Sequence, residues 1–496
     1  MGEPSIPSDA NAEQADQDVA QLRRMGYQQE LLRRMSGFSN FAISMSIICI
    51  LAGGVTSFSQ GFCSVGGASI GLGWPLVCLF SLTVAATMGQ VASAFPTAGG
   101  LYHWAAILGG RGWGWTTAWF NLAGLITVMT AINVGFVRFV NGSLGAPLPD
   151  IWVPLAVTLV TAAQATLNHR GIRTTTRLTD FSGWWILGVA LVLTVSLALQ
   201  IEHWQWSRLV TFQNFSGPAG LDTWPRTENV TWLFLLGFLL PAYTLTGFDA
   251  SAHVAEETVG AAANVPRAIV RSVLVSGICG WILLSVTVLA MPSLEAAAGK
   301  GEHAFTWTMR SVLPPTYASI IIAGIAVAQF LCGLATVTSA SRMAFAFARD
   351  GGLPGSRWLK FVSPTHRTPV WSIWLVAALS SLAAFLPYAT VAAVCAVFLY
   401  ISYVLPAMLG CVAWGRTWTV MGPWHLGIWY RPLALLAVVG CGGLLLIGVQ
   451  PPNQQAVWIV GGSCLLLLVG WLSHARKNFA GPPVRLLDAE RTGQSV

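Results

Sequence analysis

Charge is what this 496-residue chain has least of: Asp, Glu, Lys and Arg together make up 9% of it. A soluble domain carries about a quarter, so a water-facing globule is excluded. Lysine is confined to Lys300, Lys360 and Lys477. The nine cysteines form no CxxC motif and no Cys/His pair at metal spacing, which argues against both a zinc centre and a disulfide framework. Eight of them (Cys49, Cys78, Cys279, Cys332, Cys395, Cys411, Cys441 and Cys464) fall in apolar runs, where they serve as small hydrophobes. Enzyme and pump signatures are missing as well. There is no GxGxxG after a strand, no Walker lysine and no HExxH. A formal charge of +7 would suit nucleic acid, but no basic stripe exists. The basic residues stand singly or in pairs between apolar runs, as topology-setting residues do.

What the chain has instead is apolar sequence, at 54% hydrophobic residues and a mean hydropathy of +0.64. Lipid is the environment that accepts so much of it, in spans of about twenty residues. Runs suited to crossing lie near 38–59, 72–95, 113–140, 151–169, 178–200, 229–252, 268–291, 316–341, 369–388, 390–414, 432–449 and 455–474. Each is expected to be helical, because unpaired backbone groups are too costly in hydrocarbon. Residues 1–36 are polar and lack the early apolar stretch of a cleavable signal. They are expected to form a cytoplasmic tail, with a second tail over 476–496. With the N-terminus inside, the inner loops and tails hold 21 of the 26 Lys and Arg residues, leaving Arg138, Arg208, Arg226, Lys300 and Arg310 outside. Misplacing one span would invert every later loop and destroy that bias. The Asn-x-Ser/Thr triplets at Asn141, Asn214 and Asn229 also fall outside.

Two spans are weakened in the middle. Span 1 contains ILAGGVTSFSQG and span 6 contains YTLTGFDASAHV. Both carry Leu-x-Gly-x-x-x-Ser, at Leu51/Gly53/Ser57 and Leu245/Gly247/Ser251, and they run in opposite directions through the bilayer. Broken helices at matching places in two inverted halves point to a transporter's central site. The expected architecture is an all-α membrane protein of about twelve helices. A five-plus-five inverted repeat, about 37–200 and 229–414, is followed by two further helices over about 432–474. An unwound helix offers amides to an anion on one side of the break and carbonyls to a cation on the other. Two such breaks suit a zwitterion without burying a protein charge.

Several side chains near the breaks admit two readings each. Asp249 either attracts a substrate amine or caps the second half of span 6. Phe248 either closes over a substrate or simply packs. Glu256 and Glu257 are expected to pair with Arg267 or Arg271 rather than relay protons. His103 and His253 are expected to be hydrogen-bonded structure. In span 8, the carbonyl of Ala335 and the hydroxyls of Thr338 and Ser339 are of the type a hard cation prefers, although such hydroxyls also bond their own backbone. Arg342 lies one turn further on.

These motifs resemble the amino acid–polyamine–organocation transporter superfamily, and within it the amino acid/choline branch typified by γ-aminobutyrate permeases. The resemblance rests on Ala94-Phe95-Pro96-Thr97-Ala98-Gly99-Gly100-Leu101-Tyr102, then Gly110-Arg111-Gly112-Trp113, and Gly247-Phe248-Asp249 with Glu256-Glu257. Ser341-Arg342 and Ala344-Phe345-Ala346-Phe347-Ala348-Arg349-Asp350-Gly351 complete it. It covers roughly residues 36–475 and implies a leucine-transporter-like fold working by alternating access. It further implies that a substrate carboxylate meets Ala52, Gly53, Gly54, Val55 and Thr56. The amine would meet carbonyls around Tyr243, Thr244, Leu245 and Thr246, beside Gly247, Phe248 and Asp249. By the same likeness Ala335, Thr338 and Ser339 match a sodium site, while Arg111, Arg342, Arg349 and Asp350 are expected to form salt bridges that gate the inner side. The chain departs from relatives in having Gln90 where an acidic residue is common, and no lysine in span 5.

The expected function is a secondary transporter, not an enzyme, in the plasma or bacterial inner membrane. Its partners would be a small amine or amino acid and the lipid bilayer, without nucleic acid. It would need no cofactor beyond a coupling ion, H+ or Na+. A choline, ethanolamine or polyamine carrier is the alternative, and an amino acid sensor built on the same fold a more distant one.

Overall fold

A computed structural model describes residues 9–143 and 149–483, so the outer ends of both expected tails lie outside the described residues. Among the described residues every regular element is a helix. Ten helices among the described residues are long and apolar enough to cross a bilayer: Gly37–Thr56, Ser69–Ala94, Arg111–Asn141, Asp150–His169, Ile172–Ala198, Ala261–Leu289, Pro315–Arg349, Thr390–Ala413, Gly427–Gly448 and Gln455–Asn478. Two shorter apolar helices, Val230–Thr244 and Val370–Ala383, stand where spans 6 and 9 are expected. The spans are numbered 1–12 in this order along the chain.

Several helices outrun their apolar cores. Span 5 begins at Ile172, span 7 at Ala261, and span 8 continues to Arg349, each several residues beyond the expected limits. Hydropathy marks the slab that is crossed, whereas the hydrogen-bond ladder continues into water wherever propensity allows. These extensions carry Arg173, Arg177, Arg267, Arg342 and Arg349 to the face that holds both described chain ends, here termed the terminal face.

Burial sorts the spans. In the apolar stretch of span 1, 89% of residues are buried, against 6% in span 12. Span 12 presents Leu465, Leu466, Val469 and Leu472 outward, the surface lipid covers. Spans 3 and 10 pack closely against each other, and the first half of span 1 packs against spans 5, 7 and 8.

The N-terminal segment is more than a tail. A helix, Asp9–Arg24, is followed by a strap that returns to Ser36, whose hydroxyl caps span 1 by accepting from the Ser39 amide at 3.1 Å. The strap crosses the terminal end of span 6. The amides of Arg34 and Met35 both donate to the Glu257 carbonyl at 2.8 Å, and Val259 N–H donates to the Met35 carbonyl at 3.0 Å. Arg33 pairs with Asp18 at 3.6 Å, and Asp18 accepts from the Gly260 amide at 2.7 Å. Polar composition says nothing of this docking.

Candidate functional site

Span 1 stops at Ile48 and restarts at Gly53. The break therefore occupies Cys49–Ala52, one step before the glycines expected to cause it. Cys49 takes φ −3° and ψ 94°, outside the helical region. Gly53 serves close approach instead: a Cβ on it would lie 2.9 Å from Thr244 Cα in span 6. Beyond the break, Gly53–Thr56 and Phe58–Val65 form the second half-span. The amides of Gly54 and Val55, at its start, have no helical carbonyl one turn earlier. The Thr56 hydroxyl donates to the Ala52 carbonyl at 2.9 Å.

Span 6 ends its first half at Thr244 and resumes over Ala250–His253. Between them Gly247 takes φ +93°, a left-handed conformation that L side chains avoid. A Cβ there would also overlap Ile47 Cγ2 of span 1. The two breaks thus lie against each other, Gly53 on Thr244 and Gly247 on Ile47. The candidate carbonyls differ in availability. That of Tyr243 already accepts the Thr246 hydroxyl at 2.7 Å, and the Thr244 hydroxyl bonds back to Leu240. Leu245 is fully buried at this junction.

Asp249 is not a cap. It precedes Ala250–His253, but its carboxylate makes no capping bond. Tyr403 Oη donates to Oδ1 at 2.8 Å, Asn121 Nδ2 donates to Oδ2 at 3.0 Å, and His253 Nε2 lies 3.2 Å from Oδ2. Tyr403 in turn accepts from Gly247 N–H at 3.0 Å. Asn121, Tyr403, Asp249 and His253 are all buried. Phe248 packs, its ring 4.8 Å from that of Tyr403, and Ser44 of span 1 donates to its carbonyl at 2.8 Å. Asn121 and Tyr403 were passed over in the sequence, yet a polar group deep in an apolar span is itself a functional signal.

The hydroxyls at the end of span 8 divide. Thr338 donates to Asn168 of span 4 at 2.7 Å and bonds its own backbone at Leu334. Ser339 Oγ is buried without a hydrogen-bond partner among the described residues, and Ala335 packs with Ile47 and Ala250. The Thr338 hydroxyl is therefore engaged by span 4 and by its own backbone, while that of Ser339 is unengaged among the described residues.

On the terminal face the expected salt bridges form with different partners. Glu256 pairs with Arg349 through two 2.9 Å bonds, and Glu257 pairs with Arg342 at 3.0 Å. Arg267 and Arg271 were the expected partners, but they lie on the exposed side of span 7. Arg342 and Arg349 are two turns apart on one face of span 8, so both come down on the buried glutamates. Asp350 bonds neutral or histidine donors rather than arginine: Tyr27 Oη at 2.8 Å, Tyr102 Oη at 2.9 Å and His103 Nε2 at 3.1 Å. Burial, reinforced by the Asp350 charge, pushes the Tyr27 phenol well above its ordinary pKa, so it stays a donor. Among the described residues Arg111 makes no salt bridge. It donates to the carbonyls of Arg476 and Phe479, tying down the C-terminal segment. These contacts gather the strap, the segment after span 2 and the terminal ends of spans 6 and 8 into one closed cluster on the terminal face. The other side opens as a cleft of about 70 Å³ that reaches Val55 and Thr56 and is flanked by Arg138 and Tyr388.

The strap gives a direct test of that closure. Tyr27→Phe removes one buried bond to Asp350 and one to His103. It should raise hydrogen–deuterium exchange at the strap-bonded amides of Arg34, Met35 and Val259 about tenfold, the effect of roughly 1.4 kcal/mol. Unchanged exchange would show that the strap is held elsewhere.

Comparison with known proteins agrees with this architecture. The model of the amino acid permease family matches residues 35–471. A rice protein described as an amino-acid permease BAT1 homolog is 32% identical over 95% of this chain and 96% of its own length. The Arabidopsis thaliana amino-acid permease BAT1 is also 32% identical, over 95% of this chain and 97% of its own. A GABA-specific permease of Saccharomyces cerevisiae is 26% identical over 95% of this chain and 86% of its own. With the family match running from the start of span 1 into span 12 and across both breaks, the chain belongs to the amino acid permease family and is a multi-pass membrane protein.

Proposed function

We propose that this chain is a secondary active transporter carrying an amino acid or γ-aminobutyrate across the cytoplasmic membrane by alternating access. The terminal face is the cytoplasmic one in this reading, as the basic loops favour, and residues 37–200 and 229–414 are the inverted halves. The observation that carries the proposal is the contact between the two breaks. Gly53, opening one half-span, lies against Thr244 at the end of another, an arrangement suited to a carboxylate and an ammonium on one small molecule. Names of the plant and yeast relatives support the same substrate class. The choline or polyamine alternative needs a carboxylate free to meet a cation, whereas Asp249 is engaged by Tyr403, Asn121 and His253. Coupling to H+ or Na+ supplies the driving force. For sodium, the oxygen donors would be those of Ala335, Thr338 and Ser339. The residues proposed to gate the cytoplasmic side are Arg342, Arg349 and Asp350, with Arg111 acting through the C-terminal segment.

Purified protein in liposomes should take up a radiolabelled amino acid or γ-aminobutyrate when proton and sodium gradients are imposed separately. Methyl esters of the substrate should fail to compete, because the amides of span 1 need the free carboxylate. Uptake of choline in preference to any zwitterion would sink this reading. If sodium is the coupling ion, Ser339→Ala should remove the sodium stimulation, and no proton stimulation should be seen.

A further inference from the structure

Asp249 and His253 stand one helical turn apart, both fully buried, and the transport reading above assigns their pairing no role. Each hydrogen in the group can be placed from its neighbours. Nδ1 of His253 lies 3.3 Å from the Ala98 carbonyl oxygen, which can only accept, so Nδ1 carries a hydrogen. Nε2 faces Asp249 Oδ2 at 3.2 Å. Asn121 donates to that same oxygen. Tyr403 accepts from Gly247 N–H, so its own hydrogen goes to Oδ1. One position remains open, between Oδ2 and Nε2. With a proton there, the pair has no net charge. Without it, a lone carboxylate charge sits where no water reaches, a costly state.

We propose that Asp249 and His253 form a proton-binding site that couples proton movement to the transport proposed above, on which this inference rests. The groups facing the pair are consistent with a single exchangeable proton. Span 3 contributes Asn121 and span 10 contributes Ser402 and Tyr403, all uncharged. The nearest charges toward the terminal face are Glu256 with Arg349 and Glu257 with Arg342, each already paired. His103 lies further out, on Asp350 and Thr97.

Two features connect the pair to the moving parts. On one side, the Tyr403 hydroxyl joins Asp249 to Gly247 at the span-6 break. On the other, Ala98 holds both the pair and the closure: its carbonyl faces His253, and its amide donates to Glu256 Oε1 at 3.1 Å. When Arg349 and Glu256 separate, Ala98 is freed and water reaches Nδ1. The Nδ1–H bond then breaks to release a proton to that water, while the proton on Oδ2 shifts to Nε2. One proton leaves, and the charge left on Asp249 is stabilised by the incoming water. Closure of the terminal side is thereby tied to occupancy of the site.

The test uses the full chain with His253→Gln and Asp249→Asn. In liposomes, the ratio of proton-gradient-driven uptake to substrate counterflow within one preparation should fall at least about tenfold in His253→Gln, the size of a typical coupling free energy. Using this ratio cancels losses in folding or insertion. Potentiometric titration of the detergent-solubilised protein over the whole pH range in which it stays folded, with no substrate present, should show about one fewer proton exchanged per chain in each variant. An unchanged ratio, or titration curves matching the unsubstituted protein, overturns the site. If the unsubstituted chain moves no zwitterion but the titration difference persists, the transport reading fails and the proton site stands.

Discussion

Replacing Gly247 or Gly53 with leucine should abolish uptake while leaving insertion and monodispersity intact. The two glycines reach this outcome by different routes. At Gly247 the backbone sits at φ +93°, where any L side chain costs about 1–2 kcal/mol. Leucine would add a collision with Ile47 of span 1. At Gly53 the backbone is ordinary and the neighbour is the obstacle, because a Cβ would lie 2.9 Å from Thr244 Cα. Backbone cannot rotate aside as a side-chain tip can, so the half-spans must separate and the paired amides and carbonyls no longer address one ligand. Insertion is spared, since leucine favours the bilayer core by about 0.3–0.6 kcal/mol. Gly53→Ala separates the routes. It introduces only the Cβ, yet should still reduce initial uptake about tenfold, as a displacement costing ~1.4 kcal/mol would. Normal uptake by both leucine variants would remove the breaks from the transport site.

The pattern of legibility follows from which forces act locally. Lipid demands about twenty apolar residues per crossing, so the spans stand out from hydropathy alone. The lengths of spans 5, 7 and 8 do not, because water beyond the slab tolerates helix or coil alike. Weakness in spans 1 and 6 was visible as glycine, but the use made of each glycine was not. Gly247 takes the left-handed turn, whereas Gly53 exists for the sake of Thr244, a neighbour nearly two hundred residues away. Partner choice was least legible. Glu256 and Glu257 have arginines close by in sequence at Arg267 and Arg271, yet helix periodicity points those toward the exposed side. The spacing of Arg342 and Arg349, both on one face of span 8, was the available clue. Nothing local marks Tyr27 as the residue that reaches Asp350, because the contact is made by a polar strap whose path composition does not specify.

Arg349→Gln should impair transport as severely as the glycine changes, through the opposite end of the molecule. Arg349 meets Glu256 through two parallel 2.9 Å bonds, and its guanidinium lies 4.0 Å from the centre of the Tyr27 ring. Such a fork is both strong and directional. Removing one member of a buried pair typically costs about 3–5 kcal/mol, since the other charge is left stranded. Here the stranded group is Glu256, fully buried, with the Ala98 amide as its remaining donor. If the closed and open arrangements differ by a few kcal/mol, that penalty is enough to reverse their order and hold the terminal side open. Initial uptake should fall at least about a hundredfold, matching ~3 kcal/mol, and exchange at the strap-bonded amides should rise with it. The double variant Arg349→Gln with Glu256→Gln is the decisive companion. It strands no charge, and two neutral amides can still bond across the same gap, so it should recover much of the lost closure. Equal damage in the single and double variants would mean that the pair's charge is not what holds this side shut. Recovery in the double variant would identify the lock as charge balance between Arg349 and Glu256, which water entering from the terminal face can release.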